Sequence, residues 1–222
     1  MSFDERKKSR IEKLVKKFGF EMSEEPDFVI CYGGDGTLLV AERIYPSIPK
    51  LCFKPKKKGK YAYELDSIER ILPRIKKEKF RIKKEMKLLL KFKKFKKEAL
   101  NEVQLHNEFP GRAIRFSLQV NSKSFKEVIG DGVVISTPFG SSAYYSSLGG
   151  KPFKKGIGIA FNNPHNLRIK PWRVNENSKI KIKVLREKGL ILTDNDEKVF
   201  EIGVGEKFWV RKSKHYANFI LV

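Results

Sequence analysis

The sequence predicts an α/β domain followed by an all-β domain. Up to about residue 80, short apolar runs alternate with stretches whose apolar residues recur at helical spacing. Beyond that point the apolar runs are short, rich in Val, Ile and Phe, and closed by turn residues. With 40% of its 222 residues apolar, the chain can fill one large core or two small ones.

The first domain is expected over 1–80. Ile11, Leu14, Val15 and Phe18 lie on one helical face, and Gly19 just past them is a stop signal. Phe28–Tyr32 is fully apolar between Pro26 and a glycine pair, which suits a buried parallel strand. A helix follows over Thr37–Ile44, then a strand over Pro49–Phe53. A second helical stripe runs through Leu65, Ile68, Ile71, Leu72 and Ile75.

The all-β domain is expected over 81–212. Its strands are Leu88–Phe95, Ala113–Val120, Val133–Ser136, Ile157–Phe161, Ile180–Leu185, Gly189–Thr193 and Phe208–Arg211. A final strand, Asn218–Leu221 within about 213–222, is available to return to the first domain.

Lys and Arg number 48 against 26 Asp and Glu, a formal charge of +22 that invites a nucleic-acid reading. The lysines are interleaved with glutamates, as in Lys76-Lys77-Glu78-Lys79, and spread through every segment. A solvated face is therefore favoured, nucleic acid is disfavoured as partner, and the positive potential is left to draw in polyanionic nucleotides. No apolar run approaches the roughly 20 residues that span a bilayer, and Met1–Lys8 lacks a signal peptide's apolar stretch, so the expectation is a cytoplasmic protein without a membrane. Cys31 and Cys52 sit inside apolar runs and are expected to be structural. His106, His165 and His215 show no ligand spacing, so no protein-held transition metal is expected.

Three segments carry chemistry. Gly33-Gly34-Asp35-Gly36-Thr37 leaves a buried strand and opens a helix, where glycines let the backbone approach phosphate and the helix start favours an anion. A carboxylate repels phosphate, so Asp35 must serve otherwise, by accepting a proton from a hydroxyl nucleophile, holding Mg²⁺, or capping the helix. Asn101-Glu102 offers an amide and a carboxylate to a ribose or adenine edge, or else marks a surface hairpin. The third segment, Gly130-Asp131-Gly132-Val133-Val134-Ile135-Ser136-Thr137-Pro138-Phe139-Gly140-Ser141-Ser142-Ala143-Tyr144, continues to Ser147 and Gly149-Gly150. Tyr144 there offers a stacking face, and Ser141, Ser142 and main-chain amides offer hydrogen bonds to a purine.

The order and spacing of these motifs resemble the NAD kinase family from about Asp27 to the C-terminus, and His165-Asn166-Leu167-Arg168-Ile169-Lys170-Pro171 resembles a later stretch of that family. Diacylglycerol kinases and phosphofructokinases share the Gly-Gly-Asp-Gly turn but not the long Ser-Thr-Pro segment. The fold this implies is a small Rossmann-like α/β domain followed by a β-sandwich-like domain. The implied activity is transfer of a phosphoryl group from ATP or polyphosphate to the adenosine 2′-hydroxyl of NAD, with Mg²⁺ accompanying the donor. Asp35 would be the base, and Gly34 and Gly36 would line the diphosphate region. Asn101 and Glu102 would contact ribose and adenine, with Ser142, Ala143 and Tyr144 bordering the nucleoside pockets. Asp131 and Ser147 would lie toward the nicotinamide, partly across a subunit interface, since family members form homodimers or homotetramers. Gly33, Thr37, Lys54 and Lys56 would meet the donor's phosphates.

The departures fall in three places. The loop after the second strand reads Lys54-Pro55-Lys56-Lys57-Lys58-Gly59-Lys60-Tyr61, with lysine where the family carries asparagine and Tyr61 available as the stacking face. Its lysines suit triphosphate or polyphosphate, or a solvated loop. Phe139 stands where a smaller residue is usual, and Thr193-Asp194-Asn195-Asp196 replaces an Asp-Gly-Gln turn. The rival readings are a related-fold kinase acting on a lipid or sugar hydroxyl, and a basic nucleotide- or nucleic-acid-binding protein without turnover.

Overall fold

The computed structural model describes residues 5–54, 60–166 and 168–222. The chain forms two units: Met1–Lys84 with Ala217–Val222, and Glu85–Tyr216.

The first unit is an α/β layer. Helix α1, Glu5–Lys17, buries Leu14 and Val15. It stops where Gly19 turns to φ +74°, which lets Phe20 N–H reach Val15 O at 3.1 Å. Strand β1, Val29–Tyr32, pairs in parallel with β2, Lys50–Lys54, and β2 pairs in parallel with β3, Ala62–Glu64. Helix α2, Asp35–Ile44, links β1 to β2, and α3, Ile68–Lys76, follows a 3₁₀ turn at Leu65–Ser67.

Alternation along the strands divides the unit's interior. Leu51 and Phe53 join Leu14, Val15, Ile68, Leu72 and Ile75 in an apolar cluster. Lys50, Cys52 and Lys54 occupy the opposite face of β2, and all three are buried. On that face Cys31 stands in register with Cys52, both as free thiols. The Lys50 ammonium pairs with Glu42 of α2 and donates to Tyr45 O at 2.6 Å, so this fully buried cation is compensated.

The second unit is built from antiparallel sheets. One holds β6, Glu102–Asn107; β9, Gly132–Ser136; β10, Ile157–Asn162; β11, Trp172–Val174; β13, Gly189–Thr193; and β14, Phe200–Ile202. Their order is β11-β10-β9-β6-β13-β14. The other is formed by β7, Ile114–Val120; β8, Lys123–Gly130; β12, Ile180–Arg186; and β15, Lys207–Leu221, joined by β4, Arg81–Phe92, and β5, Phe95–Ala99. Val103, Leu105, Val133 and Ile159 of one sheet share a core with Leu90, Phe116, Ile182 and Phe208 of the other.

The α/β-then-β class holds, and three local expectations are corrected. The run Leu88–Phe95 is a hairpin, with Phe92 opposite Phe95 and Lys93 at φ +51° in the turn. The runs Phe208–Arg211 and Asn218–Leu221 belong to one strand, β15, which enters the first unit at Ala217 and pairs there with β2 through Phe219 and Lys50. Its polar middle persists because Ser213 bonds Glu98, which also meets Lys87 at 2.6 Å and His215 at 2.9 Å. Asn101-Glu102 is no surface hairpin: both residues are buried, and Glu102 opens β6. Strands β3, β6, β8, β11 and β14, and all of β5 beyond Phe95, are not foreseen from the apolar pattern, because polar residues interrupt most of them.

Candidate functional site

In the first unit, Gly33 leaves β1 at φ +149°, where a Cβ would lie 2.4 Å from Thr37 Oγ1. Only glycine fits. Its N–H donates to Phe53 O at 3.0 Å, so Gly33 supplies conformation and its amide is spent within the sheet. Gly34 is the N-cap of α2, and nothing within 4 Å would meet a Cβ there. Asp35 is the first helical residue rather than the cap, its side chain 66% exposed, with Oδ1 2.5 Å from Lys54 Nζ. Gly36 and Thr37 complete the first turn, placed at the carboxyl ends of parallel strands where α/β sheets take ligands. Lys56 and the adjoining Lys57, Lys58 and Gly59 lie outside the described residues.

In the second unit, Asp194 organises the entrance to β6. It follows β13 at φ +51°, and its carboxylate accepts the N–H groups of Leu100, Asn101 and Glu102 at 2.8, 2.7 and 3.1 Å. Thr137 closes the other side, its hydroxyl donating to Leu100 O at 2.6 Å and accepting from Gly140 N–H at 2.9 Å. Gly140 packs so closely that a Cβ would meet Asn101 O at 2.3 Å. The Ser-Thr-Pro segment and the Asn-Glu pair are thereby one structure. Ser141 serves that structure and not a ligand: it is buried, donating to Pro138 O at 2.8 Å and accepting from Phe153 N–H at 3.1 Å. Phe139 is buried as well. Ser142, Ala143 and Ser147 stay exposed, and Tyr144 is half-buried at the start of the short helix α4, Tyr144–Ser147.

Glu102, Gln104 and His106 alternate along β6 and so share the sheet face opposite the core. Gln104 Nε2 donates to Glu102 Oε1 at 3.4 Å, while Glu102 Oε2 is buried with no partner among the described residues. Burial first, and then the charge of Asp194, push the Glu102 carboxyl up to about 8. The His106 ring stacks on Tyr144 at 5.9 Å between centroids, and its Nε2 lies 3.4 Å from the Tyr144 hydroxyl. Asn162 Nδ2 donates to that hydroxyl at 3.1 Å, and Asn163 Nδ2 donates to Asp131 Oδ2 at 3.1 Å. Burial holds His106 below the ordinary imidazole range, with Asp131 opposing, and raises the Tyr144 hydroxyl, with Asp131 and Glu102 adding to the effect.

Asn101, Glu102, Asp131 and Tyr144 therefore fall on one connected part of the second unit. Gln104, His106 and Asn162 are functional candidates that sequence reasoning missed, with the alternation Glu102-x-Gln104-x-His106 the available signal for the first two; Asp194, which it placed only in an altered turn, gains a role as acceptor for residues 100–102. No group of three His, Cys, Asp or Glu side chains is placed to hold a metal among the described residues. A cavity of about 580 Å³ in the first unit, lined by Ile11, Phe20, Met22, Phe28 and Tyr45 among others, contains none of the motif residues. No described helix is long and apolar enough to cross a membrane.

A glycine turn at the end of parallel strands, joined in one chain to a polar-faced β unit with a hydroxyl-rich loop, defines a nucleotide-binding α/β-plus-β protein. Residues 100–222 match the family model for the ATP-NAD kinase C-terminal domain. The chain is 31% identical to an NAD kinase of Sulfurimonas denitrificans, over 86% of this chain and 70% of that protein. It is also 31% identical to the bifunctional NADP phosphatase/NAD kinase of Methanococcus maripaludis, over 89% of its own length but only 37% of that longer protein. The crystal structure of an NAD kinase from Archaeoglobus fulgidus in complex with ATP shares the fold, with TM-score 0.78 at 21% identity, covering 95% of this chain and 88% of that one. The chain belongs to the NAD kinase family.

Proposed function

We propose that this protein phosphorylates NAD to NADP, with ATP as donor. The observation that carries the reading is the exposed Asp35 carboxylate on the first turn of α2, in a chain whose second unit matches the NAD kinase model. Asp35 takes the proton as the O–H bond of the adenosine 2′-hydroxyl breaks. The freed oxygen bonds to the γ-phosphorus, and the bridging oxygen departs with ADP. Such a transfer needs alignment and charge neutralisation more than covalent chemistry.

Asn101 and Glu102 hold the ribose and adenine of NAD. A neutral Glu102 has a proton to donate from the buried oxygen that lacks a partner, which suits an uncharged acceptor on the nucleoside. Tyr144 with Ser142 and Ala143 borders the nucleoside pockets, while Asp131 and Ser147 face the nicotinamide. Gly34 and Gly36 accommodate the diphosphate. Thr37 and Lys56 are assigned to the donor's phosphates by the family resemblance, with Gly33 shaping the turn and Lys54 beside Asp35. Mg²⁺ bound by the donor's phosphates supplies further positive charge. Polyphosphate is a second donor of the same chemistry. The protein works in the cytoplasm as a homodimer or homotetramer.

The test is direct: purified protein with Mg²⁺, NAD and ATP should form NADP, and Asp35→Asn should lower turnover about 10²- to 10⁴-fold with NAD binding kept. Undiminished turnover in that variant would remove Asp35 from the role of base.

A further inference from the structure

We propose that Lys54 is the positioning residue of the reaction's base, its ammonium holding one oxygen of Asp35 so that the other is presented to the hydroxyl nucleophile. The inference rests on the reading of Asp35 as base and adds to it the group that sets the carboxylate's orientation.

Asp35 needs such a group. Its side chain is two-thirds exposed, and as the first residue of α2 it is not the helix's cap, so local structure does not fix its rotamer. Among the described residues Lys54 is the carboxylate's one partner, at 2.5 Å from Oδ1, and Oδ2 has none. Both backbones are tied to the same short stretch of sheet. Gly33 N–H bonds Phe53 O, one residue before Lys54, and Lys54 itself is in register with Glu64 of β3.

The asymmetry of the pair is what makes it a positioning device. An ion pair between two exposed side chains wanders and contributes little. Here the Lys54 side chain is only 8% exposed, on the β2 face it shares with Lys50 and Cys52. A packed stem leaves the ammonium few alternatives, and the mobile partner adapts to the fixed one. With Oδ1 engaged, Oδ2 is the oxygen to which the hydroxyl proton passes. The resulting neutral acid stays beside a cation, close to where phosphoryl charge develops.

The experiment compares wild type, Lys54→Met and Lys54→Arg in NADP formation, varying NAD and ATP separately, with thermal unfolding as the folding check. Lys54→Met is expected to lower kcat about 100-fold while both KM values stay within about 3-fold, because only the geometry of the proton acceptor is lost. Lys54→Arg, which keeps a cation in reach, is expected to recover most of that loss. In the wild type the ¹³Cγ resonance of Asp35, assigned by its disappearance in Asp35→Asn, is expected to move when Lys54 becomes Met. Should Lys54→Met melt below the assay temperature, Lys54→Gln takes its place. A Lys54→Met kcat equal to wild type overturns the inference, as does a raised KM for ATP with kcat preserved, which would make Lys54 a donor contact only. A wild type that forms no NADP fails differently: it overturns the kinase reading, and the role of Lys54 with it.

Discussion

Asp194 Oδ1 lies 2.7 Å from Asn101 N, although 93 residues separate them in the chain. The same carboxylate also receives Leu100 and Glu102, so one side chain sets the main chain of the proposed nucleoside contact. Asp194→Ala leaves three N–H groups without that acceptor and is expected to cost about 2–4 kcal/mol, since buried unpaired donors cost about 1–3 kcal/mol each and water satisfies some of them. Urea unfolding checks the stability loss. A KM for NAD raised about tenfold or more in the surviving protein checks the positioning.

Glu102 makes stability depend on pH in an unusual direction. Its folded pKa, about 8, lies above the unfolded value near 4.5. Between these values the folded state holds a proton that the unfolded state has released, so ionisation favours unfolding and this contribution is lost as pH rises. Below pH 4.5 both states are protonated and the contribution is complete. Glu102→Gln removes the titration. Compared with wild type in urea at about pH 5 and about pH 8.5, it is expected to gain relative stability at the higher pH by a few kcal/mol, roughly the span of the shift. Parallel pH profiles for the two proteins would contradict this.

Two glycines should respond oppositely to alanine. Gly140→Ala drives a methyl to 2.3 Å from Asn101 O, a main-chain atom that cannot yield, and is expected to cost about 3 kcal/mol or more. Gly34→Ala meets nothing within 4 Å, so its melting temperature is expected to stay near wild type. Its kcat/KM for NAD should nonetheless fall, because the methyl enters the space proposed to take the diphosphate. A fully active Gly34→Ala would remove that residue from the phosphate path.

Tyr144→Phe keeps the ring that stacks on His106 and deletes the hydroxyl that accepts from Asn162. The loss should be about 1 kcal/mol, the net value of one such hydrogen bond, with KM for NAD raised a few-fold. Tyr144→Ala should be markedly worse, because the stacking face goes too. Equal effects of the two variants would show that the ring is not used.

What the sequence discloses here is what local composition encodes. The strand–turn–helix at Gly33–Thr37 and the strand–loop at Val133–Tyr144 combine apolar runs with turn residues in a few consecutive positions, so both were legible. Strand β6 was not: Glu102, Gln104 and His106 replace the apolar half of the usual alternation with groups suited to a ligand-facing surface. The partnership of Asp194 with residues 100–102 was hidden by distance along the chain, since neither segment announces the other. The polar stretch within β15 looks like a break until Glu98, from another strand, supplies partners for Ser213 and His215. Likewise Lys54 reads as the start of a lysine-rich loop, and only the parallel register of β1 and β2 turns its side chain under Asp35.

The register that places Cys31 against Cys52 has a practical consequence. These are the chain's only thiols, both shielded, on β1, which leads through the glycine turn to Asp35, and on β2, which ends at Lys54. A thiol-reactive dye added to native protein should therefore modify them only as fast as those strands part from α2. Labelling rates would time the breathing of the layer beneath the proposed base, without any probe having to be engineered in.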